Sequence, residues 1–454
     1  MSQPVNHQGA SQSKRAATGR SSPGRPRLLS RAGALLGLFV VALSACSSGS
    51  SQQSGPVTIT FAQFESSGDD LKAQYAAMIS DFESKNPNIK VNLEAIPIDS
   101  YDHQIITECA AGNCPDVSIA IGNDIALLSE AHLTVDLSTY AKDLIPTFAD
   151  GPVKAAQYNG KQYALPWAAA DVVLIYNRDI MTKVGLDPTK PPTSINEMMA
   201  DIVQAQAKIP GVVGLGIDTS ARTISLDFQL PFLSAFGAIP IQDGKPKANT
   251  PQMAAYLDWI RLIMGKHYSL PGKNLGGFRA LDAQGNVLFA EDGPWFKAVL
   301  QSQNKQTDEQ LYATWGFTAI PGSPAPGVND GVTHAPATIG ADHQLVMMAP
   351  SKNKDAAWKL IEYLTSDPVA IAQYDVSGGQ GMPPTGKIVQ GMNENATKAF
   401  LDLYKAAVVA PYGPHYAAAG LAFAKNVQKA YSTTESTTQI AQEMQQDMVA
   451  AFGG

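Results

Sequence analysis

At 454 residues the chain is too long for one compact core and long enough for two α/β domains of ordinary size. Apolar residues make up 44% and charged residues 16%, which excludes wholesale disorder and collagen-like repetition. The formal net charge of −7 hides an asymmetry: residues 1–45 carry Lys14, Arg15, Arg20, Arg25, Arg27 and Arg31 and no acid, so the remainder stands at −13. A surface that acidic is a poor match to the phosphate backbone of a nucleic acid, which needs a cationic face.

The amino terminus accounts for the asymmetry. After the basic stretch, residues 32–45 are uncharged and mostly apolar, too short for a bilayer span of roughly 20 residues and the right length for the apolar core of a signal peptide. The stretch ends in Leu43-Ser44-Ala45-Cys46, which resembles the bacterial lipobox, where small residues admit the peptidase and the Cys46 thiol then carries the lipid. Without an adjacent Arg-Arg pair, the general secretion route is expected. Residues 1–45 therefore read as a signal peptide and residues 46–56 as a lipidated cysteine and flexible Ser/Gly/Gln tether. The mature protein is expected on the outer face of the cytoplasmic membrane, anchored through its lipid.

Val57-Thr-Ile59-Thr-Phe61 alternates as a strand, and Asp69-Asp70 opens a helix whose Leu71, Tyr75, Met78 and Phe82 share one face. Asn86-Pro87 ends that helix, and Ile89, Val91 and Leu93 alternate as a second strand. Cys109 and Cys114 follow; in an oxidising compartment they read as a disulfide closing a small loop. Zinc would need three or four ligands, and His103 alone lies nearby, so no metal site is expected. Val117-Ser-Ile119-Ala-Ile121 is the third strand. Strand, helix, strand in this order predicts a parallel sheet with ligand beyond the carboxyl ends of the strands, at Gln63, Phe64 and Glu65 and at Gly122, Asn123 and Asp124. Thr250-Pro251 caps a helix facing inward through Met253, Leu257, Ile260 and Met264. A further helix begins near Asp355 and stops at Asp367-Pro368. The stretch from Pro321 to Gly331 is turn-rich and expected to be exposed.

Several blocks then resemble one family in the same order. Asn159-Gly-Lys-Gln-Tyr-Ala-Leu-Pro-Trp167 followed by Leu174-Ile-Tyr-Asn-Arg-Asp179 is similar to the crossover segment of the extracellular solute-binding proteins of carbohydrate ABC importers. Cys114-Pro-Asp-Val117, Glu291-Asp-Gly-Pro-Trp295, Pro350-Ser-Lys-Asn-Lys354 before Ala356-Ala-Trp358, and Gly378-Gly-Gln-Gly-Met-Pro-Pro384 agree with it. The resemblance runs from about residue 57 to the end. It implies an α/β, two-lobed periplasmic-binding-protein fold with an interlobe cleft and crossing hinge strands, the crossings lying near residues 168–172, 337–340 and 380–384. Lobe one would comprise residues 57–169 plus 340–382, and lobe two residues 170–339 plus 383–454. The implied function is to capture a carbohydrate, a di- or oligosaccharide, and deliver it to the transmembrane subunits of a permease. The protein would act as a monomer without cofactor or catalysis.

A sugar presents hydroxyls at its edge and C–H faces above and below, so its site needs carboxylates or amides in plane and rings on the faces. Trp295 matches a sugar-stacking tryptophan of the family, and Phe296 follows it. Trp167 precedes the first crossing, Phe64 follows the first strand, and Tyr412 sits in a Pro-Tyr-Gly-Pro turn. Among polar groups, Glu65 and Asp124 fall where relatives carry hydroxyl-binding carboxylates, the second beside Asn123, although Asp124 also suits a helix cap. Asp171 lies at the first crossing. Asp342 and His343 follow the second, where relatives carry small residues, and either read a substrate group or cap a helix.

The rival within the binding class is glycerol 3-phosphate or a glycerophosphodiester. Phosphate favours Arg, and after residue 45 only Arg178, Arg222, Arg261 and Arg279 remain, with none in 405–424. A neutral or weakly charged polyol is therefore preferred. A glycoside-processing enzyme using Glu65, Asp124 and Asp171 is the alternative of another class; it would require a defined carboxyl spacing. A structural or adhesive lipoprotein would not require cleft aromatics in the family's order.

Overall fold

The computed structural model describes residues 55–67, 71–377, 379, 381–408 and 410–453. The signal segment, Cys46 and Asp69-Asp70 lie outside the described residues.

The first strands form as their alternation predicts. Val57–Gln63 pairs in parallel with Ile89–Ala95 on one side and Val117–Ala120 on the other. The helix between the first two, Lys72–Lys85, buries Tyr75, Met78, Ile79 and Phe82, with Leu71 buried just before it. The sheet is not wholly parallel. Its order is Ile89–Ala95, Val57–Gln63, Val117–Ala120, His343–Met347, Ala164–Ala168, and His343–Met347 runs antiparallel to both neighbours. That strand arrives from the other lobe, not through a βαβ crossover on this one, which removes the topological reason for parallel pairing. Cys109 and Cys114 are disulfide-bonded at the end of helix Tyr101–Ala110.

The second sheet is built the same way. Asp171–Asn177 runs antiparallel to Val287–Asp292, Trp315–Thr318 and Thr338–Gly340. Val213–Gly216 and Ala407–Val408 lie at its edges, each parallel to its neighbour. Its antiparallel strand is again the one that enters from the other lobe. Each sheet has its own apolar core. One is built around Phe61, Phe82, Ile119, Leu345 and Leu360. The other is built around Leu174, Leu215, Phe236, Trp259, Phe423 and Met444. The helix Pro251–Gly265 starts as expected: Thr250 Oγ1 accepts from Met253 N at 3.1 Å, and Met253, Leu257, Ile260 and Met264 are buried.

The turn-rich segment is less exposed than its composition suggested. Pro321, Gly322 and Ala325 are buried, because the carbonyls of Gly322 and Pro324 accept the amides of Ile195 and Asn196 at 2.9 and 3.0 Å, satisfying amino-terminal donors of helix Ile195–Lys208.

Three chain segments pass between the sheets. Only residues 169–170 separate Ala164–Ala168 from Asp171–Asn177, and only residues 341–342 separate Thr338–Gly340 from His343–Met347. The third pass runs beside the first, where Ala169 and Met382 exchange two backbone hydrogen bonds of 2.8 Å. Among the described residues no helix is long and apolar enough to cross a membrane.

Candidate functional site

A cavity of about 330 Å³ lies between the lobes, at the lower end of the roughly 300–1,000 Å³ common for small-molecule sites. From the first sheet it takes Phe64 and Glu65 and Gly122 to Asp124, beyond the strand ends, and His343, at the start of His343–Met347. From the second it takes Arg222, Asp227, Arg279, Trp295, Tyr412 and Tyr416. Of the residues singled out from sequence, Phe64, Glu65, Asn123, Asp124, Trp295, His343 and Tyr412 converge here.

Trp295 follows Val287–Asp292 through Gly293-Pro294. Its indole Nε1 donates to Asp292 Oδ1 at 2.6 Å, and Asp292 also receives Arg279 through two bonds of 2.7 and 2.8 Å. A β-carbon on Gly293 would lie 2.5 Å from the indole ring, so glycine is what allows the ring to fold back over this turn. Across the cleft Trp295 faces His343, with ring centroids 5.9 Å apart and planes 14° from parallel.

Glu65 is held firmly. Its carboxylate accepts from Tyr75 at 2.5 Å and Tyr374 at 2.6 Å, and lies 2.8 Å from His343 Nδ1. Phe64 packs edge-on against both Tyr101 and His343. Asn123 reaches over the cleft, its Oδ1 accepting from Gly413 N at 2.9 Å, while its Nδ2 is buried without a partner. Asp124 Oδ2 accepts from Ile121 N at 2.8 Å, backwards across its own turn, so it closes the loop before helix Asp124–Glu130 and does not cap the helix's inner amides. Burial first, and the neighbouring Asp102 next, push the Asp124 carboxyl well above the usual carboxylate range. Asp227 is pushed up to about 7 by burial, against hydrogen bonds from Tyr416 and Tyr412.

Four expectations are corrected. Trp167 is 1% exposed and lies flat on Tyr374, ring centroids 3.7 Å apart, inside the first core; its strand is buried on both faces, so position beside the crossing did not put it on the cleft. Phe296 is 1% exposed and packs edge-on against Trp315, because the helix that begins there turns it away from its neighbour Trp295. Asp171 borders a second cavity of about 180 Å³, on the hinge, in place of the main one. Asp342 neither lines the main cavity nor caps a helix: its carboxylate accepts from Ala170 N at 3.0 Å and Tyr404 at 2.6 Å, tying the two crossings together. Burial pushes Asp171 up to about 8, helped by the charge of Asp342, which burial itself pushes up to about 6.

Sequence reasoning missed Asp102, Asp227, Arg222 and Arg279. Asp102 and Arg222 follow Ile89–Ala95 and Val213–Gly216 in chain order but lie several residues beyond the strand ends, so the residues just after each strand do not include them. Asp227 and Arg279 carry no local signal. Arg222 is bonded to Asp218 at 2.5 Å and reaches Asp99 of the other lobe at 3.1 Å. Arg178 and Arg261 bond backbone carbonyls far from the cavity. Among the described residues no group of three or more His, Cys, Asp or Glu side chains is placed to hold a metal ion.

Two lobes, three passes and a cleft lined from both sides have clear counterparts. An ABC transporter solute-binding protein from Thermotoga lettingae, solved with α-D-tagatose, superposes with a TM-score of 0.77 at 21% identity, covering 87% of this chain and all of that one. A binding protein of Brucella abortus (strain 2308) is 26% identical over 74% of this chain and 76% of its own length. The multiple sugar-binding protein of Streptococcus mutans is 23% identical over 76% of this chain and 80% of its own. The family model of the bacterial extracellular solute-binding proteins matches residues 66–371. With about two thirds of its length inside that match and both lobes built to the same plan, the chain belongs to the bacterial extracellular solute-binding proteins.

Proposed function

We propose that this protein is the substrate-binding component of an ABC importer, capturing a carbohydrate in the interlobe cleft and presenting it to a permease. One observation carries the reading: ring faces (Trp295, His343, Phe64) and hydrogen-bonding side chains (Asn123, Asp124, Asp227, Tyr412) converge from both lobes on one cavity, the combination that a sugar's faces and edges require. The names of relatives point the same way, since the Streptococcus mutans protein is a multiple sugar-binding protein. A phosphorylated ligand is disfavoured because both arginines on the cavity wall already hold carboxylates. Nothing in the reading requires a bond to be made or broken, and a monomer suffices. Lipidation at Cys46 would keep the protein beside its permease, and Cys46→Ser is expected to release it into the medium.

Thermal-shift and calorimetric screening of mono-, di- and oligosaccharides beside glycerol 3-phosphate and glycerophosphodiesters tests the reading, since only a ligand of the folded state stabilises it. Stabilisation by a sugar recovered unchanged is the expected result. Stabilisation by the phosphates alone, or release of hydrolysed sugar, refutes it.

A further inference from the structure

Both walls of the cleft bring carboxyl groups toward the same space. On the first lobe, Asp102 in the opening turn of helix Tyr101–Ala110 stands beside Asp124, and its charge adds to burial in pushing the Asp124 carboxyl up. On the second, Asp227 in the opening turn of helix Ser225–Phe236 faces them. A β-carbon built on Gly122 would stand 3.4 Å from Asp227 Oδ2, which sets this carboxylate against the loop that leads into Asp124. All three border the cavity.

The arginines of the cavity wall are engaged elsewhere. Arg222 is held by Asp218 and Asp99, and Arg279 is held bidentately by Asp292. The donors on Asp124 and Asp227 are neutral: Ile121 N on Asp124, and the Tyr416 hydroxyl on Asp227, with the Tyr412 hydroxyl beside it. Shutting the lobes therefore moves acids toward one another out of water, which opposes closure unless protons are taken up or a cation enters. A hydroxyl has one proton to offer, whereas an ammonium offers three and needs no donor in return. The acidity of the chain after residue 45 further concentrates cations at the cleft mouth.

We propose that the cleft selects a carbohydrate bearing a protonated amine, seated between Asp124 of one lobe and Asp227 of the other. The proposal rests on the importer reading above and names the class of its ligand.

Calorimetry with disaccharides matched in linkage, α and β, and carrying a hydroxyl, an acetamide or a free amine at one carbon tests it. The free-amine member of at least one set is expected to bind at least about tenfold tighter at pH 7 than its two counterparts. Asp227→Asn is expected to bring the set to near parity, with Asp124→Asn as the second variant should the first not fold. Neutral members that bind as tightly as the amines in every set overturn the proposal and leave the importer reading standing. A preference that survives both substitutions overturns the assignment to these carboxyls. Binding of no carbohydrate overturns both readings together.

Discussion

Replacing Trp295 with alanine removes the largest ring that the second lobe presents to the cleft. The indole is half-buried, fixed by its bond to Asp292 and parallel to His343 across the gap. A tryptophan buries about 150–250 Å² in all, so covering one face accounts for roughly 60 Å², or about 1.5 kcal/mol at about 25 cal/mol per Å². Loss of the stack on His343 adds about 0.5–1.5 kcal/mol to the cost of closure. Together these predict a loss of about 2–3 kcal/mol, or roughly 30- to 150-fold in affinity. Because the ring belongs to a cleft wall and not to a core, the ligand-free protein should keep its melting temperature within a few degrees. Calorimetry of Trp295→Ala, His343→Ala and the double variant separates the two contributions, since the lobe-to-lobe stack appears as their coupling. Unchanged affinity in Trp295→Ala would refute the assignment of this ring to the ligand, and additivity in the cycle would refute the stack as a closing contact.

The same turn offers a gentler perturbation: Gly293→Ala places a β-carbon against the indole, and should lower affinity through displacement of Trp295 while circular dichroism stays unchanged. At the hinge, burial raises the Asp171 carboxyl to about 8, so the folded state holds a proton that the unfolded chain releases near pH 4. Stability is therefore greatest below the unfolded value and falls as pH rises toward 8. Asp171→Asn should remove that slope and gain at least about 1 kcal/mol on the parent between pH 5 and 8 in urea unfolding; parallel profiles would contradict the assignment. Replacing both Cys109 and Cys114 with serine opens a short loop, and should cost about 2 kcal/mol at most with no change in ligand affinity, checked by denaturation beside calorimetry.

The strands of the first lobe were legible because their alternation is strict, and the residues past two of their ends, Phe64 with Glu65 and Asn123 with Asp124, did reach the cavity. What failed were positions whose neighbourhood is set by residues far along the chain. Trp167 stands in a strand buried on both faces, so its sequence carries no inside-outside rhythm, and the partner that covers it, Tyr374, lies in a distant helix. Asp342 looked like a polar departure at a crossing, and its role appears only when Ala170 and Tyr404 are brought beside it. Arg222 and Arg279 were visible as arginines, but the carboxylates that engage them, Asp99 and Asp292, are paired by tertiary structure alone.

The separation of the two cores explains how so long a chain can be governed by a small ligand. Each lobe is stabilised within itself, and two of the joining passes are only two residues long, so rotation is absorbed by a few backbone dihedrals and leaves both cores intact. Against that, the contacts crossing the cavity side of the cleft are few. The Arg222–Asp99 pair is open to solvent on its acidic side and contributes up to about 1 kcal/mol, and the Asn123–Gly413 bond contributes about 1 kcal/mol. With the Trp295–His343 stack the clasp amounts to only a few kcal/mol, opposed by the mutual approach of Asp124 and Asp227. A clasp of that size leaves a ligand touching both walls needing only a differential affinity of the same order to favour the closed arrangement.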